Sequence, residues 1–307
     1  MDCFSSEWHR LPWSKWHRPE SLYKGRTVRP GVPRTSGVYR IRTAGEGVMA
    51  YLGESENLAE RVVGDWGALN RTDRSSTRSK NDQLNRLVDL RRRLTQGYEI
   101  SWAARSGPWP YDLGRKQERE CLERCLGWLC RLTTGRSPFG NYARSGDGAQ
   151  LLVGTTDRGR PVSVSSPGPV HPSTRALRPG SRSPSSRQWM NQRWSQPLPR
   201  KKLGQGQALD DPLLTTYTGQ GPALYKVLDG ESKALLFLGY AQHAWKGLHR
   251  AMRAIERNRG ATLGSWSPLP RKVLRLECRE LLGDMIGAYY HEDGRPPALQ
   301  FEGVLGQ

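Results

Sequence analysis

The sequence has no long hydrophobic run. Its longest, ALLFLGY at 234–240, is strand-length, well short of the roughly 20 apolar residues that a membrane-spanning helix needs. Acidic residues are scarce as well: 29 Asp and Glu stand against 48 Lys and Arg, a formal net charge of +19. None falls between Asp157 and Asp210. An excess of this size costs self-repulsion and points to a polyanionic partner, nucleic acid ahead of an anionic membrane surface. The five cysteines are few and odd in number, which excludes a fully paired secreted framework. Cys121, Cys125 and Cys130 in CLERCLGWLC have helical spacing with no histidine nearby, so they are expected to be core thiols rather than zinc ligands. MDCFSSEWHR lacks the basic-then-apolar layout of a signal peptide, and a cytoplasmic location is expected.

What is present divides into four stretches. Residues 1–35 interleave Trp8, Trp13 and Trp16 with His9, Arg10, Lys15, His17 and Arg18. That pattern suits either stacking on nucleic acid or an arm packed on the main body, the preferred reading. In 36–145, SGVYRIR and VMAYLG are expected to be strands joined by a glycine-containing hairpin and covered on both faces. Ser55 is the expected cap of the following helix. LNRLVDLRRRL is expected to form another helix, GYEISWAAR a third strand, and RKQERECLERCLGWLCRL a helix closing at Gly135. Residues 146–215 are rich in Ser, Pro and Arg and are taken as a linker or basic extension. In 216–307 the opening pattern returns: Tyr225 precedes Gly239 by 14 residues, as Tyr39 precedes Gly53, and GRPPALQ echoes GRSPFGN. A matched spacing with matched ends indicates an internal duplication. The fold class expected is α/β of the α+β kind, two small mixed sheets flanked by helices and joined by a basic linker.

Gly37-Val38-Tyr39, Tyr51-Leu52-Gly53, Arg61, Glu123 ahead of Leu126-Gly127, and Asn141 occur in that order, and in this order they resemble the GIY-YIG nuclease family. The resemblance covers about 36–145 and, more weakly, 216–307. It implies catalytic roles for Tyr39, Tyr51, Arg61, Glu123 and Asn141, with Tyr39 handling the attacking water and Glu123 holding Mg2+ or Mn2+. Glu120 and Glu118 compete with Glu123 for the metal, because the helix phase is fixed only to within a residue or two. Many family members carry a histidine one turn after the arginine; Asp65 stands there in this chain.

The chemistry can be argued from residue types alone. Phosphodiester hydrolysis needs an activated water and stabilisation of charge on the phosphoryl and leaving oxygens, tasks a divalent metal can share. Magnesium keeps several waters and needs few protein carboxylates. An arginine offers a fixed fork of donors to phosphate. An ordinary phenol is a poor base near neutrality unless positive charge lowers its pKa.

The second copy lacks these groups: Phe237 replaces the tyrosine, Gly247 the arginine, Leu282 the glutamate and Gln300 the asparagine. Lys246, His249, Arg250, Arg253 and Arg257 recur at helical spacing there, and a nucleic-acid-binding role is expected for them. The expected function is a metal-dependent DNA endonuclease with one active site per chain, in defence against foreign DNA, and a homodimer would cut both strands. The alternatives are a non-catalytic DNA-binding protein on the same fold, or a nuclease toxin with an immunity partner; a defence-system partner would accompany a restriction role.

Overall fold

The structure is a computed structural model and describes residues 2–24, 27–28, 31–45, 47–61, 97–105, 110–141, 174–180, 182–203, 221–270 and 272–301. Asp65 and the expected helix at 84–94 lie outside the described residues. The chain divides into two compact units, Met1–Leu126 with Arg136–Ser173, and Gly127–Gly135 with Thr174–Gln307. The fold is of mixed α and β content with small antiparallel sheets. Every pairing between described strands is antiparallel, so neither main sheet has the mixed sense expected. No helix among the described residues is long and apolar enough to cross a membrane.

In the first unit a short ribbon, β1 (Tyr23–Lys24) and β2 (Thr27–Val28), precedes the main sheet. That sheet holds β3 (Gly37–Thr43), β4 (Met49–Ser55) and β5 (Tyr98–Ala104) in the order β4-β3-β5. α1 (Lys116–Thr134) follows, its residues from Gly127 on counted with the second unit, and ends on Gly135, whose φ of 74 is the left-handed conformation glycine adopts without penalty. The second unit repeats the plan. Its elements are β6 (Leu198–Pro199), α2 (Arg200–Leu203), β7 (Ala223–Asp229), β8 (Leu235–Ala241), α3 (Ala244–Arg259), β9 (Thr262–Pro268) and α4 (Arg275–Asp293). Its sheet order is β6-β9-β7-β8.

The registers show how closely the two plans agree. Tyr39 lies opposite Gly53 on one side and Trp102 on the other, and Tyr225 lies opposite Gly239 and Trp266. Each hairpin carries its irregularity at the same step, Ile41/Arg42 and Val227/Leu228. α4 ends, like α1, on a left-handed glycine, Gly294.

The duplication reaches further than the tyrosine pattern suggested. Side chains alternate across a strand, so Arg40 points to the face opposite Tyr39 and would reach solvent if that face were open. It is instead fully buried. The N-terminal arm wraps it: the guanidinium donates to the carbonyls of Cys3, Phe4 and Ser5 and lies 4.2 Å from the Trp13 ring centroid. Lys226, the equivalent residue of β7, is buried too. Its ammonium donates to the carbonyls of Pro184 and Ser186 and lies 4.5 Å from the Trp194 ring. Burying a cation is costly unless it is fully hydrogen-bonded; the carbonyls and the aromatic face, worth about 2 kcal/mol when desolvated, offset that cost.

Both clasps are built alike. The indoles of Trp13 and Trp194 donate to the carbonyls of Trp8 and Trp189, each at 3.0 Å. His9 and Arg10 in one clasp, Met190 and Asn191 in the other, have positive φ. Ser14 and Ser195 bind the backbone of Trp102 and Trp266. Residues 174–203, assigned to a linker from composition, therefore include a clasp over the second sheet. The N-terminal tryptophans Trp8 and Trp13 are core residues.

Candidate active site

Gly53 explains why the Leu-Gly step recurs. The Tyr39 ring lies over it, and a Cβ at position 53 would meet the Tyr39 Cζ at 2.6 Å and the Tyr51 Cε1 at 2.7 Å. The two phenol rings stack with centroids 5.9 Å apart, and their hydroxyls are hydrogen-bonded. Beyond Gly53 the chain leaves the sheet. Ser55 does not cap the helix as expected; it is the last residue of β4, and its hydroxyl braces Asn57. Asn57 accepts the Glu60 N–H at 3.3 Å and is the cap, so the helix begins at Leu58 and carries Arg61 in its first turn.

Glu123 comes to this site from α1. The Glu54 backbone N–H donates to its carboxylate, and burial pushes its carboxyl up to about 7, with Arg124 opposing and the carboxylates of Glu54 and Glu120 adding to the shift. Burial raises Glu120 also. Tyr51 is pushed up to about 12 by burial first and by negative Glu123 second, with Arg61 pulling the other way. Tyr51 therefore stays protonated near neutrality, the opposite of the lowered pKa that a tyrosine base requires.

The structure thus brings Tyr39, Tyr51, Arg61 and Glu123 into one neighbourhood. Glu118 does not join it: five residues ahead of Glu123 on a helix, it is turned well away, and its charge acts on Cys121 instead. Asn141 joins as a brace. Its amide oxygen accepts the Leu52 N–H at 2.8 Å and its amide nitrogen donates to the Leu52 carbonyl at 2.7 Å. Among the described strands β4 lies at the edge of its sheet, and Asn141 fills part of that hydrogen-bonding side. Gln300 pairs with Leu238 in the same way, at 2.9 and 3.0 Å. The change from Asn141 to Gln300 therefore keeps the brace, and it does not belong with the disabling replacements.

Two residues of the site were missed in the sequence. Glu54, directly after Gly53, lines a cleft of about 520 Å³ together with Glu56, Glu60 and Arg61. Arg119 is buried, holds Glu54 by an ion pair of 2.8 Å, and donates to the carbonyls of Leu113 and Gly114. The signal available was position: Glu54 abuts the Leu-Gly step and Arg119 lies one helical turn before Glu123.

Crowded carboxylates with oxygen donors only are the set a hard divalent cation prefers. Burial first, and the Glu54 and Glu120 carboxylates after it, raise the Glu123 carboxyl; a bound cation would favour its charged form, so the donor set fits Mg2+ or Mn2+. The cysteines are buried and form no disulfide; burial pushes the Cys121 and Cys125 thiols above their usual range.

On α3, Lys246, Arg250, Arg253 and Arg257 are exposed along one face, opposite buried Leu248, Met252 and Ile255. His249 is half-buried, 3.5 Å from Arg200, apart from that stripe.

Comparison of the chain with protein-family models, with curated proteins and with solved structures finds no match.

Proposed function

We propose that the chain is a divalent-metal-dependent endonuclease that hydrolyses DNA phosphodiester bonds with one active site, in the first unit. The observation that carries this reading is that Glu123 and Arg61 act electrostatically on the same phenol, Tyr51, which is hydrogen-bonded to Tyr39. Four groups from two strands and two helices meet where each type has a use. The resemblance of their order to the GIY-YIG family supports the same reading, as does the charge of +19.

In this account Arg61 binds a phosphoryl oxygen and stabilises charge that develops there. Tyr51, hydrogen-bonded to Tyr39, positions Tyr39 to orient the attacking water. Glu123, which accepts the Glu54 N–H, would hold the metal, and Arg119 keeps the Glu54 carboxylate in place. A bound divalent metal would supply a lowered pKa for water and charge stabilisation for the leaving oxygen. Asn141 fixes the strand that carries Tyr51. One site per chain nicks, and a homodimer would cut both strands. A role in defence against foreign DNA, with a partner protein of that system, extends this reading.

The test is incubation of the purified chain with supercoiled plasmid in Mg2+, in Mn2+ and in EDTA. Nicked product in either metal and none in EDTA is expected. Intact plasmid under all three conditions, with the protein bound to it, would leave the DNA-binding alternative.

A further inference from the structure

The second unit has a cleft of about 320 Å³ in the place the candidate active-site cleft has in the first. The shift that carries Tyr39 to Tyr225 and Gly53 to Gly239 carries Glu54 to Tyr240, Glu56 to Gln242 and Glu60 to Lys246. Every carboxylate lining the first cleft is therefore replaced, one of them by a cation. Lys246 and Arg250, one turn apart on α3 and both exposed, line the second cleft with His243, and no acid lines it.

The second unit keeps the tyrosine-on-glycine contact, and Tyr225 lines its cleft. Tyr225 lies over Gly239 as Tyr39 lies over Gly53, and Gly247 lets α3 approach: a Cβ there would meet the Ala241 Cβ at 2.3 Å. Burial pushes Tyr225 up to about 12, with Arg250 opposing, so its hydroxyl remains a donor. Leu282 stands where Glu123 would hold a metal.

We propose that this cleft seats one backbone phosphate of nucleic acid, held by Lys246, Arg250 and the Tyr225 hydroxyl, and does not cut it. A cluster of donors with no acid present suits a phosphodiester and repels no part of it. The loss of the metal carboxylate separates holding from hydrolysis. The inference rests on the reading of the chain as one that acts on DNA, and it gives the second unit the task of fixing the substrate.

The test uses the full chain in EDTA, with a fluorescent 20-base-pair DNA duplex titrated at several salt concentrations. Each neutralised phosphate contributes about 0.9 to the slope of log K against log salt. Lys246→Ala/Arg250→Ala is expected to lose about tenfold in affinity, as for charged hydrogen bonds, and to lower that slope by about one. Lys233→Asn, which removes a cation at the β7–β8 turn, serves as control and keeps both values; equal melting temperatures verify folding.

Unchanged affinity and slope in the double variant would overturn the proposal. So would a double variant that loses only a thermal shift given by inorganic phosphate while binding duplex normally, because the site would then serve free phosphate. A chain that never cuts plasmid but shows the slope change would sink the nuclease reading and leave this inference standing. Cutting with an unchanged slope would do the reverse.

Discussion

Tyr39 and Gly53 face each other across β3 and β4, with the phenol so close that a Cβ at position 53 would lie 2.7 Å from its hydroxyl. The atoms in the way belong to the far ends of side-chain rings, so the rings move rather than the strand. Gly53→Ala is expected to cost about 1–3 kcal/mol, as overpacking does, and to lower plasmid nicking at least tenfold by displacing Tyr39. Gly239→Ala in the second unit is expected to cost a similar stability and leave the cutting step intact. Denaturant unfolding and a nicking time course measure the two effects.

The clasps make a second prediction. Arg40→Met removes the cation that donates to three backbone carbonyls, of which those of Phe4 and Ser5 keep a donor in the Trp16 indole and the Trp8 N–H. Each lost hydrogen bond to a charged group costs about 1.5–3 kcal/mol, so the first unit should unfold at lower denaturant. Arg40→Lys keeps a charge in the place where the second unit already has Lys226, and should recover part of the loss. Equal midpoints for Arg40→Met and the wild type would contradict the clasp account.

Within the second unit, Glu280 and Asp284 share one arginine, Arg131, at 3.0 and 3.1 Å, and all three are buried. Two acids with one cation leave a surplus charge, and burial pushes Asp284 up to about 7, against the pull of Arg131 and the Leu177 N–H. The folded pKa lies above the ordinary 3.8, so between those values the folded chain holds a proton that the unfolded chain releases. This contribution to stability is full below 3.8 and is lost as pH rises through about 7. Asp284→Asn should flatten the fall in melting temperature across that window; an unaltered pH profile would refute it.

Asn141 and Gln300 brace equivalent strands, and their removal should act on packing before chemistry. Asn141→Ala leaves the N–H and carbonyl of buried Leu52 without these partners and is expected to cost about 1–3 kcal/mol. Gln300→Ala should cost about the same for Leu238. Thermal unfolding of the two variants checks the equivalence; a lost cutting rate with unchanged stability for Asn141→Ala would instead make it a group that touches substrate.

Several elements were legible in the sequence. β3 and β4 lie where short apolar runs around a glycine-containing hairpin placed them, β5 where alternation did and α1 where its apolar stripe did, and α1 stops at Gly135 as expected. The repeat of Tyr39-Gly53 in Tyr225-Gly239 was also visible, because backbone register fixes that spacing. The clasps were not. Arginine and lysine in a strand ordinarily face water, and nothing local marks Arg40 or Lys226 as buried; the cover comes from tryptophans far off in sequence. WHRLPWS and WMNQRWS do share the spacing of their tryptophans and serine, yet proline and serine around the second copy gave it the look of a linker. Glu54 and Arg119 escaped for a similar reason. A part-buried ion pair across 65 positions leaves no periodic trace.

The central claim is that the first unit cuts and the second does not. Glu123→Ala and Leu282→Ala, each assayed with the wild-type chain on supercoiled plasmid in Mg2+ or Mn2+, test it most directly. The account predicts that Glu123→Ala abolishes metal-dependent nicking, whereas Leu282→Ala cuts like the wild type. Nicking that survives in Glu123→Ala, or is lost only in Leu282→Ala, would contradict it.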